Sequence, residues 1–171
     1  METLEKHVRD IADFPKPGII FKDLTPLLAD SDALGETTRL LAAPFVDANI
    51  TAVAGMEARG FIFGSLVAQH LGAGFIPLRK PGKLPAATHR VSYALEYGEA
   101  ELHMHTDAVS EGDNILLVDD LIATGGTAAA SVELVQKAGA TVAACAFVIE
   151  LDFLNGRDVL SPCPIHSLLH Y

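Results

Sequence analysis

Residues 115–127 read Ile-Leu-Leu-Val-Asp-Asp-Leu-Ile-Ala-Thr-Gly-Gly-Thr, and they restrict the fold more than any other stretch of the chain. Ile115 to Val118 is a continuous apolar run, the pattern of a strand buried on both faces of a parallel sheet. Two adjacent carboxylates, Asp119 and Asp120, follow at its end. Then come paired glycines between Thr124 and Thr127, and a helix-forming stretch from Ala128 with Gly139 placed to stop it. A strand, a Gly-rich turn and a helix N-terminus together make a phosphate cradle, because glycines let backbone N–H groups approach an anion and the helix dipole adds positive potential. Carboxylates repel phosphate, so the acidic pair points instead to ribose hydroxyls or a hydrated Mg²⁺. The segment therefore describes a pocket for a sugar phosphate.

Other phosphate motifs fit badly. A Walker A loop needs Gly-Lys-Ser/Thr after its glycines, and the chain has no such tripeptide. Gly72-Ala-Gly74 begins a dinucleotide fingerprint but runs into a strand ending at Pro77 rather than a helix. An ordinary βα turn with a polar rim has no need of paired acids followed by Thr-Gly-Gly-Thr.

The 171 residues are expected to form one domain with a sizeable core; half are apolar and 20% are charged, a globular balance. A net charge of −10 argues against nucleic acid or an anionic membrane as partner. It also means that an anionic substrate must be met by cations gathered locally. Cys145 and Cys163 have no metal or redox spacing, and Cys145, in an apolar run, is expected to be an inert buried thiol. The apolar run Val142 to Ile149 is far short of the ~20 residues a bilayer span needs. An amphipathic N-terminus, with Leu4, Val8 and Ile11 on one helical face, lacks a signal-peptide pattern, so a cytoplasmic enzyme is expected.

Along the chain, Phe14 to Gly18 breaks the first helix and Ile19 to Phe21 is a short apolar piece. Ser31-Asp32 can cap a helix towards Ala43, with Pro44 in or after its last turn. Strands are expected at 50–54, 75–78, 115–118 and 142–149, helices at 61–71 and 128–138, and an alternating hairpin at 91–105. Strands alternating with helices imply an α/β fold with a mostly parallel core sheet flanked by helices. Ligands in such sheets bind beyond the carboxyl ends of the strands, which gathers the turns at Gly55, Arg79 and Asp119 around one crevice. His103 and His105 share a strand face, a spacing that suits a metal pair, but no third ligand is near in sequence and a hydrated edge-strand pair is expected.

Three further stretches carry chemistry. Gly55-Met-Glu-Ala-Arg59-Gly60 is a second strand-to-helix turn that can present N–H groups and a guanidinium to an anion. Arg79-Lys80-Pro-Gly-Lys83-Leu-Pro85 is the densest cationic stretch, with Pro-Gly hinges suited to a mobile lid. Leu95-Glu96-Tyr97-Gly98 ends the first half of the alternating stretch. The acidic pair with its Thr-Gly-Gly-Thr loop resembles the phosphoribosyl-pyrophosphate (PRPP) motif of the type I phosphoribosyltransferases. The lid, the Leu-Glu-Tyr-Gly run, Phe14 to Asp23 and the terminal Ser167-Leu-Leu-His-Tyr171 resemble the adenine-specific branch of that family, in order and spacing over essentially the whole chain. Lys22 stands where some relatives have Arg, and Glu57-Ala58 where some have Asp-Ser.

The resemblance implies a type I phosphoribosyltransferase fold in a single domain over 1–171, with a base-binding hood over 1–30 and a flexible lid and hairpin over 79–98. It implies substrates adenine and PRPP, Mg²⁺ held mainly through PRPP rather than by side chains, and a homodimer. Ile20, Phe21, Lys22 and Leu151 would hold the purine, and Glu96 would manage the proton at its N7. Asp119 and Asp120 would address ribose, Ala123, Thr124, Gly125, Gly126 and Thr127 the 5′-phosphate, and Arg59, Lys80 and Lys83 pyrophosphate. The family's pyrophosphate loop can hold a cis non-proline peptide, for which Glu57-Ala58 is the candidate bond, and Arg79 is placed to reach across a dimer. Two rivals are a transferase for another purine, disfavoured because 6-oxopurine relatives usually carry an acid where this chain has Ala123, and a non-catalytic PRPP-binding regulator, which typically carries a basic surface and is disfavoured by the net charge of −10.

Overall fold

Ile115, Leu116, Leu117 and Val118 are all fully buried, and the sheet is built outward from them. The computed structural model describes residues 2–94 and 99–171. Five parallel strands lie side by side: β3 (Ala52–Met56), β4 (Gly74–Leu78), β7 (Asn114–Ile122), β8 (Thr141–Glu150) and β9 (Ile165–His170), in the order β4-β3-β7-β8-β9. The order reverses between β3 and β7, which opens the crevice in which such sheets bind ligands.

Alternate side chains of these strands enter two cores. Val53, Leu116, Val118, Ala146 and Val148 face the helices α3 (Ser31–Ala42) and α4 (Gly60–Leu71). Ala54, Met56, Leu117, Cys145 and Phe147 face α5 (Gly126–Lys137) and an antiparallel hairpin of β5 (Thr88–Ala94) and β6 (Glu99–His105). Burial on both faces is the reason these strands read as apolar runs. Short helices α1 (Glu2–Glu5), α2 (Thr25–Ala29) and α6 (Gly156–Leu160) complete the chain, with an antiparallel pair of β1 (Arg9–Ala12) and β2 (Ile20–Asp23) near the N-terminus. No helix among the described residues is long and apolar enough to cross a membrane.

Several expectations are corrected. The N-terminal helix stops at Glu5, because Arg9 to Ala12 pair with Ile20 to Asp23 and tertiary pairing overrides the helical spacing of Val8 and Ile11. α3 is capped by Asp30, whose carboxylate accepts from the N–H of Asp32 (3.1 Å) and Ala33 (2.9 Å), not by Ser31 or Asp32. β7 does not end before the acids: it continues through Asp119 and Asp120 because Leu121 and Ile122 still pair with Ile149 and Glu150 of β8. β9 escaped the sequence reading altogether. Cys145 is buried as expected, but its Sγ lies 3.7 Å from that of Cys163, a proximity that an 18-residue gap does not suggest.

Candidate active site

The carboxyl ends of β3, β4 and β7 converge on one cavity of about 620 Å³, lined by Glu57, Ala58, Arg59, Lys80, Asp119, Asp120 and Thr127 among others. A contiguous recess of about 110 Å³ shares Asp119, Leu121 and Thr127 with it and is walled by Ala123, Thr124, Gly125 and Gly126. The three turns singled out in the sequence thus meet in one place, at the topological switch point.

The recess has the geometry to cradle an anion. Gly125 has φ +81°, a left-handed conformation open to glycine, and the backbone of Gly156 at the start of α6 lies directly against it. That turn delivers Gly126 and Thr127 as the first residues of α5, whose twelve residues aim their N-terminal dipole into the recess. Close approach recurs at Gly60, where a Cβ would sit 2.7 Å from the Val118 carbonyl and 2.9 Å from Oδ1 of Asp119. The absence of a side chain there lets the N-terminus of α4 lie on β7 beside the acidic pair.

The two acids differ. Burial, and then the neighbouring Asp120 charge, push the Asp119 carboxyl well above the usual carboxylate range. Asp120 instead accepts from Nε of Arg59 in an ion pair. Arg59 and Asp120, assigned to different parts of the substrate, are therefore partners in the free protein. An acidic pair beside an anion recess is compatible with a hydrated divalent cation brought in on a diphosphate, so the residues present fit Mg²⁺ carried mainly by the substrate.

Around the rim, Glu57 accepts from Nε of Arg79 (3.1 Å) and from the Lys80 N–H (3.0 Å), bonds that hold its carboxyl below the usual range. Arg79 also donates to the Lys83 carbonyl at 3.3 Å and stacks over Phe61, so its guanidinium is engaged within its own chain. The Glu57–Ala58 peptide is cis. Lys80 lines the cavity; Lys83 is exposed and is not among its lining residues. Glu96 lies outside the described residues.

The hood residues Ile20, Phe21 and Lys22 form β2, beside β1. Phe14 packs edge-on against Phe21 at 5.2 Å. The Lys22 side chain turns away to Asp10 (2.7 Å) and the Tyr171 ring (3.9 Å). Tyr171 in turn bonds through its backbone to Glu150 and Asp152, the neighbours of Leu151, whose own N–H donates to the Ile122 carbonyl. The C-terminus thus braces Leu151 and ties the hood to the end of β8. None of Ile20, Phe21, Lys22 or Leu151 lines the cavity itself.

Asp23, the last residue of β2, fastens the hood. It accepts from the Thr25 hydroxyl and N–H and from Arg9, which together lower its carboxyl to about 2. The folded state favours the carboxylate, so this stabilisation is full above the unfolded value of about 3.9 and is lost as pH falls through about 2. Asp23→Asn should lower Tm at neutral pH and show a shallower further fall between about pH 4 and about pH 2. Parallel acid limbs for both proteins in thermal melts would remove this role.

Sequence reasoning missed Tyr93, which lines the cavity and whose phenol oxygen lies 3.4 Å from Thr127 Oγ1; its inward place in the β5 alternation was the available signal. Of the two hairpin histidines, His103 bonds Glu101 at 3.1 Å and His105 accepts the Ala86 N–H at 3.4 Å. Glu150, Asp152 and His170 do bring three ligand-type atoms within 4.8 Å of one another. Glu150 already takes the Arg157 guanidinium twice and the Ser167 hydroxyl, and Asp152 takes His170 at 2.9 Å, so the group is an ion-pair network.

Comparison with known proteins agrees with this geometry. The phosphoribosyl transferase domain family matches residues 29–158. The adenine phosphoribosyltransferase of Nitrosococcus oceani is 63% identical over 171 residues, the whole of both chains. Among solved structures, that of adenine phosphoribosyltransferase from Thermoanaerobacter pseudethanolicus superposes with a TM-score of 0.96 at 47% identity over 99% of each chain. The Saccharomyces cerevisiae adenine phosphoribosyltransferase, complexed with an imino-altritol bisphosphate and adenine, gives a TM-score of 0.92 at 39% identity, covering 98% of this chain and 97% of that one.

Proposed function

The chain belongs to the adenine phosphoribosyltransferases, within the phosphoribosyl transferase domain family, and from that premise we propose that it transfers the 5-phosphoribosyl group of PRPP to N9 of adenine, giving AMP and pyrophosphate. The observation that carries the reading is the phosphate recess and the Asp119–Asp120 pair opening into one cavity with Arg59 and Lys80.

The transition state for such a transfer resembles an oxocarbenium ion, with negative charge growing on the leaving pyrophosphate. Cations at the leaving group therefore matter more than a strong nucleophile. Mg²⁺, carried with PRPP, would neutralise diphosphate oxygens. Arg59 and Lys80 would meet the same oxygens, with Lys83 brought in by the 79–85 segment. Arg59 would then exchange part of its contact with Asp120 for pyrophosphate, releasing carboxylates towards the ribose hydroxyls. Backbone N–H groups of Ala123 to Thr127 would anchor the 5′-phosphate. Phe21 and Leu151 would sandwich the purine, and backbone groups of Ile20 to Lys22 would read its edge. The test is pyrophosphate release with PRPP, Mg²⁺ and a panel of bases; failure of adenine to stimulate release would sink the reading.

Glu96 would hold the proton at purine N7. Glu96→Gln should lower kcat by about 10²-fold with little change in PRPP affinity, since general acid–base groups act on that scale. Protection of residues 80–94 from proteolysis by PRPP and Mg²⁺ should persist in the variant. Normal turnover in Glu96→Gln would remove the proton role, and absent protection would remove the lid.

By family resemblance the enzyme would work in purine salvage, in the cytoplasm, as a homodimer. For Arg79 to serve a neighbouring active site it must leave Glu57, which lines this chain's own cavity, so Glu57→Gln should alter PRPP kinetics. An active monomer in sedimentation at working concentration would dismiss both the dimer and that reach.

A further inference from the structure

Cys145 and Cys163 are the only cysteines of the chain. The β8–β9 ladder brings them together: Cys145 stands opposite Ile165 in the parallel register, and its N–H donates to the Pro164 carbonyl at 2.9 Å. Their Sγ atoms face each other at 3.7 Å, unbonded. Closing from there to a disulfide distance of ~2.05 Å needs a shift smaller than a bond length between residues already held on neighbouring backbones.

The two thiols are unequal. Cys145 is fully buried, whereas Cys163 is partly exposed and lines a cavity of about 380 Å³ between α5 and the segment leading into β9. None of that cavity's lining residues belongs to the phosphate recess or the cationic rim. The contact with the Cys145 side chain and its backbone N–H lowers the Cys163 thiol, while bonding to Cys163 and burial raise Cys145. A partly exposed cysteine 3.7 Å from a fully buried one is the arrangement of an attacking and a resolving thiol.

We propose that Cys163 and Cys145 form a two-thiol site that reacts with hydroperoxides, Cys163 attacking and Cys145 resolving. In the first step the Cys163 thiolate attacks the terminal peroxide oxygen; an S–O bond forms, the O–O bond breaks, and the departing alkoxide or hydroxide takes a proton. Cys163 is then a sulfenic acid. In the second step Cys145 Sγ loses its proton and attacks the Cys163 sulfur; the S–S bond forms and the S–O bond breaks with loss of water. Overall two thiols give up two hydrogens, and the peroxide is reduced to an alcohol, or water, plus water.

The experiment treats reduced full-length protein with hydrogen peroxide, then denatures and alkylates it. Intact mass should show the loss of two hydrogens and of both alkylation sites, peptide mapping should give a Cys145–Cys163 linkage, and dithiothreitol should reverse it. Cys145→Ala should accumulate a sulfenic acid at Cys163 that dimedone captures. Cys163→Ser should slow oxidation of Cys145 by at least about tenfold, since burial leaves it inert without its partner. Wild-type protein that keeps both alkylatable thiols, forms only intermolecular disulfides, or loses Cys145 equally fast in Cys163→Ser overturns the proposal. If Cys145→Ala fails to fold, the wild-type linkage and the Cys163→Ser rate decide it.

Discussion

Gly126→Val is expected to weaken PRPP binding by about 100-fold or more while leaving the fold intact. Gly126 is the first residue of α5 and lines the recess with Ala123 to Gly125, where in the proposed reading backbone N–H groups would hold the 5′-phosphate. A branched side chain there would keep the phosphate from reaching them. Losing two charge-assisted hydrogen bonds at about 1.5–3 kcal/mol each removes at least about 3 kcal/mol, roughly two orders of magnitude in affinity. Gly125→Val is a different experiment: its positive φ and its contact with the Gly156 backbone mean that a side chain must also displace α6. Calorimetric titration with PRPP and Mg²⁺ should show lost binding and a near-native Tm for Gly126→Val, but a lowered Tm for Gly125→Val. Near-native affinity in Gly126→Val would place the cradle elsewhere.

The contrast between those two positions marks what the sequence could and could not disclose. Gly125 and Gly126 were legible as a phosphate loop because a buried strand, two acids and a helix former surround them, each a local signal. Gly156 was not, because its contact with Gly125 joins residues that only the packing of α6 brings together. The same division runs through the molecule. Strands β3, β7 and β8 are largely buried on both faces and announced themselves as apolar runs, whereas β9 has partly exposed residues over Ile165 to Ser167 and blurred into the terminal segment. Val8 and Ile11 carried a helical spacing that long-range pairing with β2 overruled. Arg59 and Asp120 were both found, but their mutual ion pair, like the Arg79–Glu57 pair, depends on the switch-point geometry and not on spacing.

Adenine should exceed hypoxanthine, guanine and xanthine in kcat/KM by about 10²- to 10⁴-fold if, as proposed, the β2 edge reads the base. β1 and β2 make a two-stranded sheet, so β2 pairs on one side only and its other edge offers backbone N–H and C=O groups. Adenine presents an acceptor at N1 and a donor at its 6-amino group, which such an edge satisfies with one N–H and one C=O. A 6-oxopurine presents the reverse, a donor at N1 and an acceptor at O6. Both contacts then become donor against donor and acceptor against acceptor, and unsatisfied groups at about 1–3 kcal/mol each give the stated range. Side-chain changes at Lys22 should shift this ratio little, because Lys22 is committed to Asp10 and Tyr171. Breaking the strand pairing through Asp23→Asn should erode selectivity, because Arg9, Thr25 and the end of β2 are held by that carboxylate. Steady-state kinetics on the four bases decide the matter: hypoxanthine or guanine equal to adenine or ahead of it would show that the β2 edge does not read the base.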